Sequence, residues 1–277
     1  MRKATPILLA LAALGNAGCD DTTTAPRDVT PPAAPRALYS VTGDGQVSLY
    51  WLANTEGDVA GYRVYHSPCA SGPDCPYDRI GATSATQFVV SGLTNGVRRF
   101  YAVSAVDQAG NEGPLSLENV FDTPRPAGQA TLGNFVSDTT AAGWDFSAFS
   151  VKSSGDRATD IYFGYNLSVY QMFATNSYGP FEPNTEIQDA GYATTLDAVD
   201  FAPSLGWSPT GTVELIPGHC YVVQTKDGHY AKFRVIGLTP SSVGLDWAYQ
   251  TAQGDRELRA RPAPPAPGTP RPLAWLR

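Results

Sequence analysis

The chain has 277 residues, a formal net charge of −7 and a hydrophobic content of 42%. Its length is a soft indication of two domains plus appendages, and its hydrophobic content is enough to build cores. Charged residues make up only 16%, while Tyr, Gly and Pro are frequent, and this mixture favours strands and turns over helices. An acidic chain without basic runs argues against nucleic acid as the main partner and offers no polybasic contact for anionic lipid.

The N-terminus has the pattern of an export signal. Arg2 and Lys3 are positive, and the apolar run 7–14 is too short to span a bilayer as a mature helix. Small residues then precede Cys19, which resembles the bacterial lipobox, although Asn16 stands where that pattern usually has Leu. The resemblance implies that Cys19 becomes the lipid-modified first residue, which anchors the protein in a membrane of the cell envelope, facing the periplasm or the exterior. The alternative is an ordinary secretion signal that contains a Cys.

The remaining cysteines indicate one disulfide bond. Cys69 and Cys75 flank the turn-forming sequence Ala-Ser-Gly-Pro-Asp, which can bring two Cα atoms to bridging distance in an oxidising compartment. A loop this short contributes about 2 kcal/mol. The alternative, a two-cysteine metal site, lacks a histidine at suitable local spacing, so no metal site is predicted. Cys220 lies in an apolar strand and is predicted to be a buried, inert thiol.

Residues 33–123 show short strands separated by turns. Apolar and polar residues alternate in 47–51, 62–66 and 101–106, and Gly- and Asn-rich turns lie between these runs, a pattern typical of an antiparallel sandwich. The segments 47–51, 58–65, 93–96 and 101–112, together with Pro35, closely resemble bacterial fibronectin type III modules.

The resemblance to fibronectin type III modules covers about 90 residues and has one departure. Arg99 occupies the position that usually holds a tyrosine at the corner of the fold, so the hydrogen bond of that tyrosine is missing. Acidic residues within 107–112 suggest either a Ca²⁺ site or a hairpin turn, and the turn explains the Gly and Asn residues better.

A second, mainly antiparallel β domain is predicted for residues 131–256. The pair Asp227-Gly228 separates two apolar runs and predicts a hairpin, and residues 243–250 alternate as a further strand. The hairpin and the strand after it resemble HmuY-like haem-binding lipoproteins, although Thr159 stands where that family commonly has tryptophan. The resemblance implies an all-β, lipid-anchored fold that captures haem between axial His or Met side chains.

Three side chains of this domain are the possible haem ligands: His219, His229 and Met172. No pair of them can be carried over from the family, and each is also explained as a solvated, hydrogen-bonded or packed side chain. The sequence contains no Gly-x-Ser-x-Gly elbow, zinc-binding helix motif or phosphate loop. Scattered acids leave a carbohydrate-active enzyme as a further alternative; these acids are Asp189, Asp197, Asp200 and Glu214.

The sequence therefore predicts an all-β, exported and lipid-anchored protein that acts as a non-catalytic binding module, with the fibronectin type III-like domain as its spacer. Its expected partners are the membrane, through Cys19, and an extracytoplasmic protein, glycan or haem ligand. A haem-binding lipoprotein is the main alternative. The predicted organisation is a signal peptide (1–18), a flexible stalk (19–32), the sandwich (33–123), a linker (124–130), the C-terminal domain (131–256) and a Pro-rich disordered tail (257–277).

Overall fold

The computed structural model describes residues 27–70, 75–175 and 184–258. The predicted signal peptide and Cys19 lie outside the described residues, as do most of the stalk and of the tail. The described chain is almost entirely β, as the composition predicts. No helix in these three ranges is long and apolar enough to cross a membrane.

Seventeen strands and two short 3₁₀ turns, Thr139–Ala141 and Leu196–Ala198, make up the regular structure of these ranges. In chain order the strands are β1 (Arg36–Gly43), β2 (Gln46–Leu52), β3 (Val59–Ser67), β4 (Asp78–Thr83), β5 (Gln87–Ser91), β6 (Arg99–Asp107), β7 (Val120–Asp122), β8 (Ala127–Gly133), β9 (Gly143–Asp145), β10 (Ser150–Lys152), β11 (Ile161–Tyr165), β12 (Tyr170–Ala174), β13 (Glu186–Tyr192), β14 (Thr212–Glu214), β15 (His219–Gln224), β16 (Tyr230–Leu238) and β17 (Ser242–Gln250).

The first domain is the expected antiparallel sandwich. One sheet has the order β1-β2-β5 and the other β4-β3-β6-β7. The alternation in β2 buries Val47, Leu49 and Trp51 between the sheets, and the Trp51 ring packs edge-on against Tyr62 at 5.3 Å. Arg99 stands where the corner tyrosine is usual, and the neighbouring Tyr101 does not replace the missing hydrogen bond. The buried Tyr101 hydroxyl has no hydrogen-bond partner among the described residues.

The end of the predicted stalk and a predicted turn belong to this first domain. Asn111 Nδ2 donates to the carbonyl oxygen of Asp28 at 3.1 Å, and the amide of Ala33 donates to Glu56 Oε1 at 2.7 Å.

In the predicted turn, the amide of Gly110 donates to the carbonyl oxygen of Asp107 at 3.2 Å, and Gly110 adopts a φ of 89°. That backbone conformation favours glycine, so the structure confirms the turn after β6.

The second domain is also a sandwich, made of two five-stranded antiparallel sheets. One sheet has the order β10-β9-β11-β12-β14 and the other β13-β15-β16-β17-β8. The Asp227-Gly228 pair forms the predicted hairpin between β15 and β16. Residues 144–151, which alternate like one strand in the sequence, form a hairpin of β9 and β10 instead. The core between the sheets is rich in aromatic side chains, including Trp144, Phe146, Phe163, Tyr221, Phe233 and Trp247.

The junction between the domains differs from the predicted linker, 124–130. Residues 127–133 form β8, which pairs with β17 because Ala130 and Leu132 bury their side chains in the second core. Only residues 123–126 connect β7 to β8. Within this connector, Thr123 and Arg125 are 1% and 3% exposed, so the connector is buried.

Charged side chains fasten the two domains to each other. Arg125 Nη2 donates to the carbonyl oxygen of Leu258 at 2.5 Å. Arg98 Nη2 donates to Asp255 Oδ2 at 3.1 Å and to Glu257 Oε2 at 2.9 Å. Glu257 and Leu258 are buried, so the boundary predicted for the disordered tail, at residue 257, is wrong. Leu258 packs in an apolar cluster with Ala202 and Val222. Arg98 of the first domain and Arg125 of the connector supply hydrogen-bond donors to the Glu257 carboxylate and the Leu258 carbonyl.

Candidate functional site

The structure confirms the predicted disulfide bond. Cys69 and Cys75 are joined, with their Cα atoms 5.2 Å apart, in the segment between β3 and β4. Cys220 is buried, and its burial raises the pKa of the thiol, as expected for an unreactive cysteine. The disulfide closes a loop of the first domain and takes no part in the features of the second domain described below.

The two histidines proposed as haem ligands lie far apart. His219 begins β15, with Nδ1 3.0 Å from Asp189 Oδ2, and His229 precedes β16, with Nδ1 3.3 Å from Asp227 Oδ1. They therefore occupy opposite ends of one hairpin. His229 lies across from Thr225, six residues along the chain from His219, so the two histidines are about 20 Å apart at a rise of ~3.3 Å per residue. Two residues at this distance cannot bind opposite sides of the same iron.

Met172, the third proposed ligand, is fully buried in the core of the second sandwich. Its place is set by β12, where it pairs with Val213 of β14 and Phe163 of β11. Its thioether is therefore a packing group. The structure brings none of the three proposed ligands together, and no arrangement of these side chains favours haem binding over the other predicted roles.

The scattered acids lie on different elements: Asp189 on β13, Asp197 in the 3₁₀ turn Leu196–Ala198 with Asp200 just after it, and Glu214 on β14. Asp189 on β13 faces His219, whereas Glu214 lies on β14 in the opposite sheet. Asp28, Asp58 and Asp107 each place an oxygen within 4.8 Å of the others. The Asp107 carboxylate accepts hydrogen bonds from the backbone amide and the Nδ2 group of Asn111, both at 2.8 Å. Those bonds hold the Asp107 carboxylate in the turn after β6.

Two buried ionisable side chains have strongly shifted pKa values. Burial raises the pKa of Asp160 to about 7. The hydrogen bond that its Oδ2 accepts from the Phe146 amide at 2.9 Å lowers the pKa, but by less than burial raises it. Burial lowers the pKa of Lys232 to about 7, and its ammonium donates to the carbonyl oxygens of Leu196 and Val199. Lys232 is only 1% exposed, so its Nζ serves as an internal hydrogen-bond donor in the fold.

An aromatic cluster lies at one edge of the second sandwich, where β8 and β10 are the end strands of their sheets. Phe149 is 44% exposed and stacks on Trp247, with ring centroids 5.5 Å apart and planes 13° apart. Trp247 in turn packs against Trp144 at 5.3 Å. One face of the Phe149 ring is therefore fixed on the core, while the side chain remains half open to solvent.

The backbone of Phe149 adopts a φ of 51°. It is the last residue of the four-residue turn between β9 and β10, a position that normally takes glycine. A bulky residue in this conformation costs about 1–3 kcal/mol. The alternation of residues 144–151 does not predict this turn, because phenylalanine is not a residue type that indicates a turn.

The buried ring nitrogens of this cluster lack partners. The Nε1 atoms of Trp144 and Trp247 have no hydrogen-bond acceptor among the described residues, although both side chains are more than nine-tenths buried. Gly128 of β8 lies opposite Trp247, and an added Cβ there would sit 3.2 Å from Trp247 Cζ2, so the indole packs closely against the backbone of this glycine.

Comparison with known proteins relates the chain to polysaccharide-degrading enzymes. No family model matches it. It is 34% identical over 120 residues to an amylopullulanase of Thermoanaerobacterium thermosulfurigenes, covering 43% of this chain and 6% of that enzyme. It is 26% identical over 250 residues to exoglucanase B of Cellulomonas fimi, covering 87% of this chain and 22% of that enzyme.

Among solved structures, a Fn3-like protein from Clostridium thermocellum is 27% identical, covers 33% of this chain and 92% of its own, and has a TM-score of 0.29. The two antiparallel sheets of the first domain agree with the fibronectin type III-like sandwich that the sequence predicts. This chain spans less than a quarter of either enzyme, so their activities are not transferred with the likeness.

Proposed function

We propose that this protein is a non-catalytic, lipid-anchored protein of the bacterial cell envelope that associates with polysaccharide. In this proposal the lipid on Cys19 anchors the protein in the membrane, the fibronectin type III-like domain is a spacer, and the C-terminal domain contacts the polysaccharide. The observation that carries the proposal is the junction made by the exposed Arg98 and the buried Arg125, because it joins the spacer to the C-terminal domain.

The direction of the spacer supports this arrangement. β1 begins beside the segment that leads from the stalk, and it ends at Gly43, whose carbonyl oxygen accepts from the Arg125 amide at 3.1 Å. Eight residues of strand span about 26 Å at ~3.3 Å each. The C-terminal domain is thereby held at the far end of the sandwich from the predicted anchor.

The likeness to parts of an amylopullulanase and an exoglucanase supports polysaccharide as the partner.

The anchor is tested with Cys19→Ala. We expect the wild-type protein, produced in a bacterium that processes lipoproteins, to incorporate labelled palmitate and to sediment with membranes. We expect Cys19→Ala to incorporate none and to move to the soluble fraction, because the lipid would be its only membrane attachment. Cys220→Ala is the matched control and should behave like wild type. Membrane sedimentation of Cys19→Ala equal to that of wild type would contradict the anchor.

A further inference from the structure

We propose that residues 259–277 fold back on the second domain and cover an apolar patch of it with the side chains of Leu273, Trp275 and Leu276. We call this surface the loop patch, because four of its five side chains lie in the loop between β13 and β14. Its side chains are Val199, Phe201, Leu205, Trp207 and Tyr230. The proposed contact lies within one chain, and it is independent of the lipid anchor and of polysaccharide.

The first argument is the apolar surface of the loop patch. Leu205 and Phe201 are 81% and 54% exposed, and they lie four residues apart in one loop. The other three side chains are half-buried and pack on the small core that contains Leu258. Single exposed apolar side chains are common on a protein surface, whereas a group of them around one core marks a surface that a partner covers.

The second argument is the place where the described residues stop, which is beside the loop patch. Phe201 and Glu257 form an antiparallel bridge, and the amide of Leu258 donates to the carbonyl oxygen of Asp200 at 2.8 Å. Residues 256–258 therefore run along the segment that carries the patch. Because Leu258 is itself part of the core under the patch, residue 259 starts next to this surface.

The sequence of residues 259–277 allows their apolar run, 273–276, to return to that starting point. Six of these residues are proline, which favours an extended chain of about 3.1 Å per residue. Pro267-Gly268 is a turn-forming pair near the middle of the segment. A reversal of the chain at this pair would bring Leu276 opposite Arg259, the residue that follows Leu258.

The third argument is charge complementarity. Residues 259–277 contain four arginines and no acidic residue, although the whole chain has a net charge of −7. The loop 193–211, which carries the patch, contains the exposed acids Asp197 and Asp200 and no lysine or arginine. If the register of the antiparallel bridge continued, Arg261 would lie opposite Asp197. The charges therefore favour this segment as the partner of this loop.

NMR relaxation of the ¹⁵N-labelled soluble Cys19→Ala chain, the parent, tests the contact through the backbone amide of Trp275. We expect an order parameter of about 0.85, as in rigid structure, whereas a mobile segment gives less than about 0.6. Leu205→Asp places a charge in the loop patch and should lower the ratio of covered to uncovered patch at least about tenfold. The order parameter of Trp275 should then fall below about 0.6.

The matched control is Leu167→Asp, which changes a leucine that is 89% exposed in the turn between β11 and β12 of the same domain. It should leave the order parameter of Trp275 unchanged. Trp275→Ser supplies a second readout from the other side of the contact. In this variant the indole N–H resonance of Trp207 should shift relative to the parent, and that of Trp51 in the first domain should not.

An ordered Trp275 that Leu205→Asp releases and Leu167→Asp keeps supports the proposal. A mobile Trp275 in the parent overturns it, and so does an order parameter that Leu205→Asp leaves unchanged. Sedimentation equilibrium of the parent should give the mass of one chain. A dimer that dissociates in Leu205→Asp would show that a second copy covers the patch, which also overturns the proposal. If thermal unfolding shows that Leu205→Asp is poorly folded, the Trp207 resonance in Trp275→Ser decides the question.

Discussion

Replacing Arg125 with methionine is expected to lower the free energy of unfolding by about 3–5 kcal/mol, the cost of removing one partner from a buried ionic group. Arg125 is 3% exposed, and its guanidinium lies among the carboxylates of Asp122 and Glu257, which are 5% and 4% exposed. Without it, both carboxylates lose a nearby positive charge, and the carbonyl oxygen of Leu258 loses its hydrogen-bond donor. Burial already raises the pKa of Asp122, which shows how unfavourable its charge is at this site.

Urea unfolding and scanning calorimetry measure this effect. We expect wild type to unfold in one transition, because the junction couples the two sandwiches, and Arg125→Met to unfold in two. Arg36→Met, which changes an exposed arginine at the far end of the first sandwich, is the matched control and should cost less than about 0.5 kcal/mol. A loss below about 1 kcal/mol in Arg125→Met, with a single transition, would contradict the coupled junction.

Asp160→Asn is expected to make the protein more stable at pH 8 and to have little effect at pH 4. The folded-state pKa of Asp160 is about 7, above the ordinary value near 4, so the folded state holds a proton that the unfolded state has lost. The wild type therefore loses stability as the pH rises from about 4 through about 7. Three pKa units correspond to at most about 4 kcal/mol. Asparagine avoids this loss and still accepts the hydrogen bond of the Phe146 amide.

Urea unfolding at pH 4, 6 and 8 checks this prediction. Above pH 7 Lys232 changes the stability in the opposite direction, because its lowered pKa lets the folded state release a proton before the unfolded state does. Since Lys232 is present in both proteins, its contribution cancels in the difference between them. Asp138→Asn is the control of opposite sign, because hydrogen bonds from Thr140 lower the pKa of that exposed carboxyl. If the free energy of unfolding changed with pH in the same way in Asp160→Asn and in wild type, the prediction would be contradicted, because Asp160 would then be ionised in the folded protein.

The sequence predicts the first sandwich well because its evidence is local. Alternation in β2 and the Gly110 turn depend on neighbouring residues, and the structure confirms both. β8 was predicted as part of a linker, since Pro-Arg-Pro-Ala-Gly-Gln-Ala resembles a loop by composition. Its strand structure depends on pairing with β17, more than a hundred residues later, which no local pattern reports.

The candidate site illustrates the same limit. His219, His229 and Met172 were chosen by residue type, and their separation depends on strand register and sheet position. Phe149 was missed because its importance comes from a left-handed backbone and a ring stacked on Trp247, which lies about a hundred residues away in the sequence. The composition predicts a core rich in aromatic side chains. The position of Phe149 at an edge of that core depends on how the two sheets are assembled.

The central claim, a non-catalytic protein that holds polysaccharide, is tested most directly by one incubation. Soluble Cys19→Ala protein is mixed with insoluble starch, cellulose and chitin, and each sample is assayed for sedimented protein and for newly formed reducing ends. We predict that the protein sediments with at least one polysaccharide and that reducing ends stay at the level of the protein-free control. Reducing ends that increase with protein concentration, or protein that remains in solution with all three, would contradict the account.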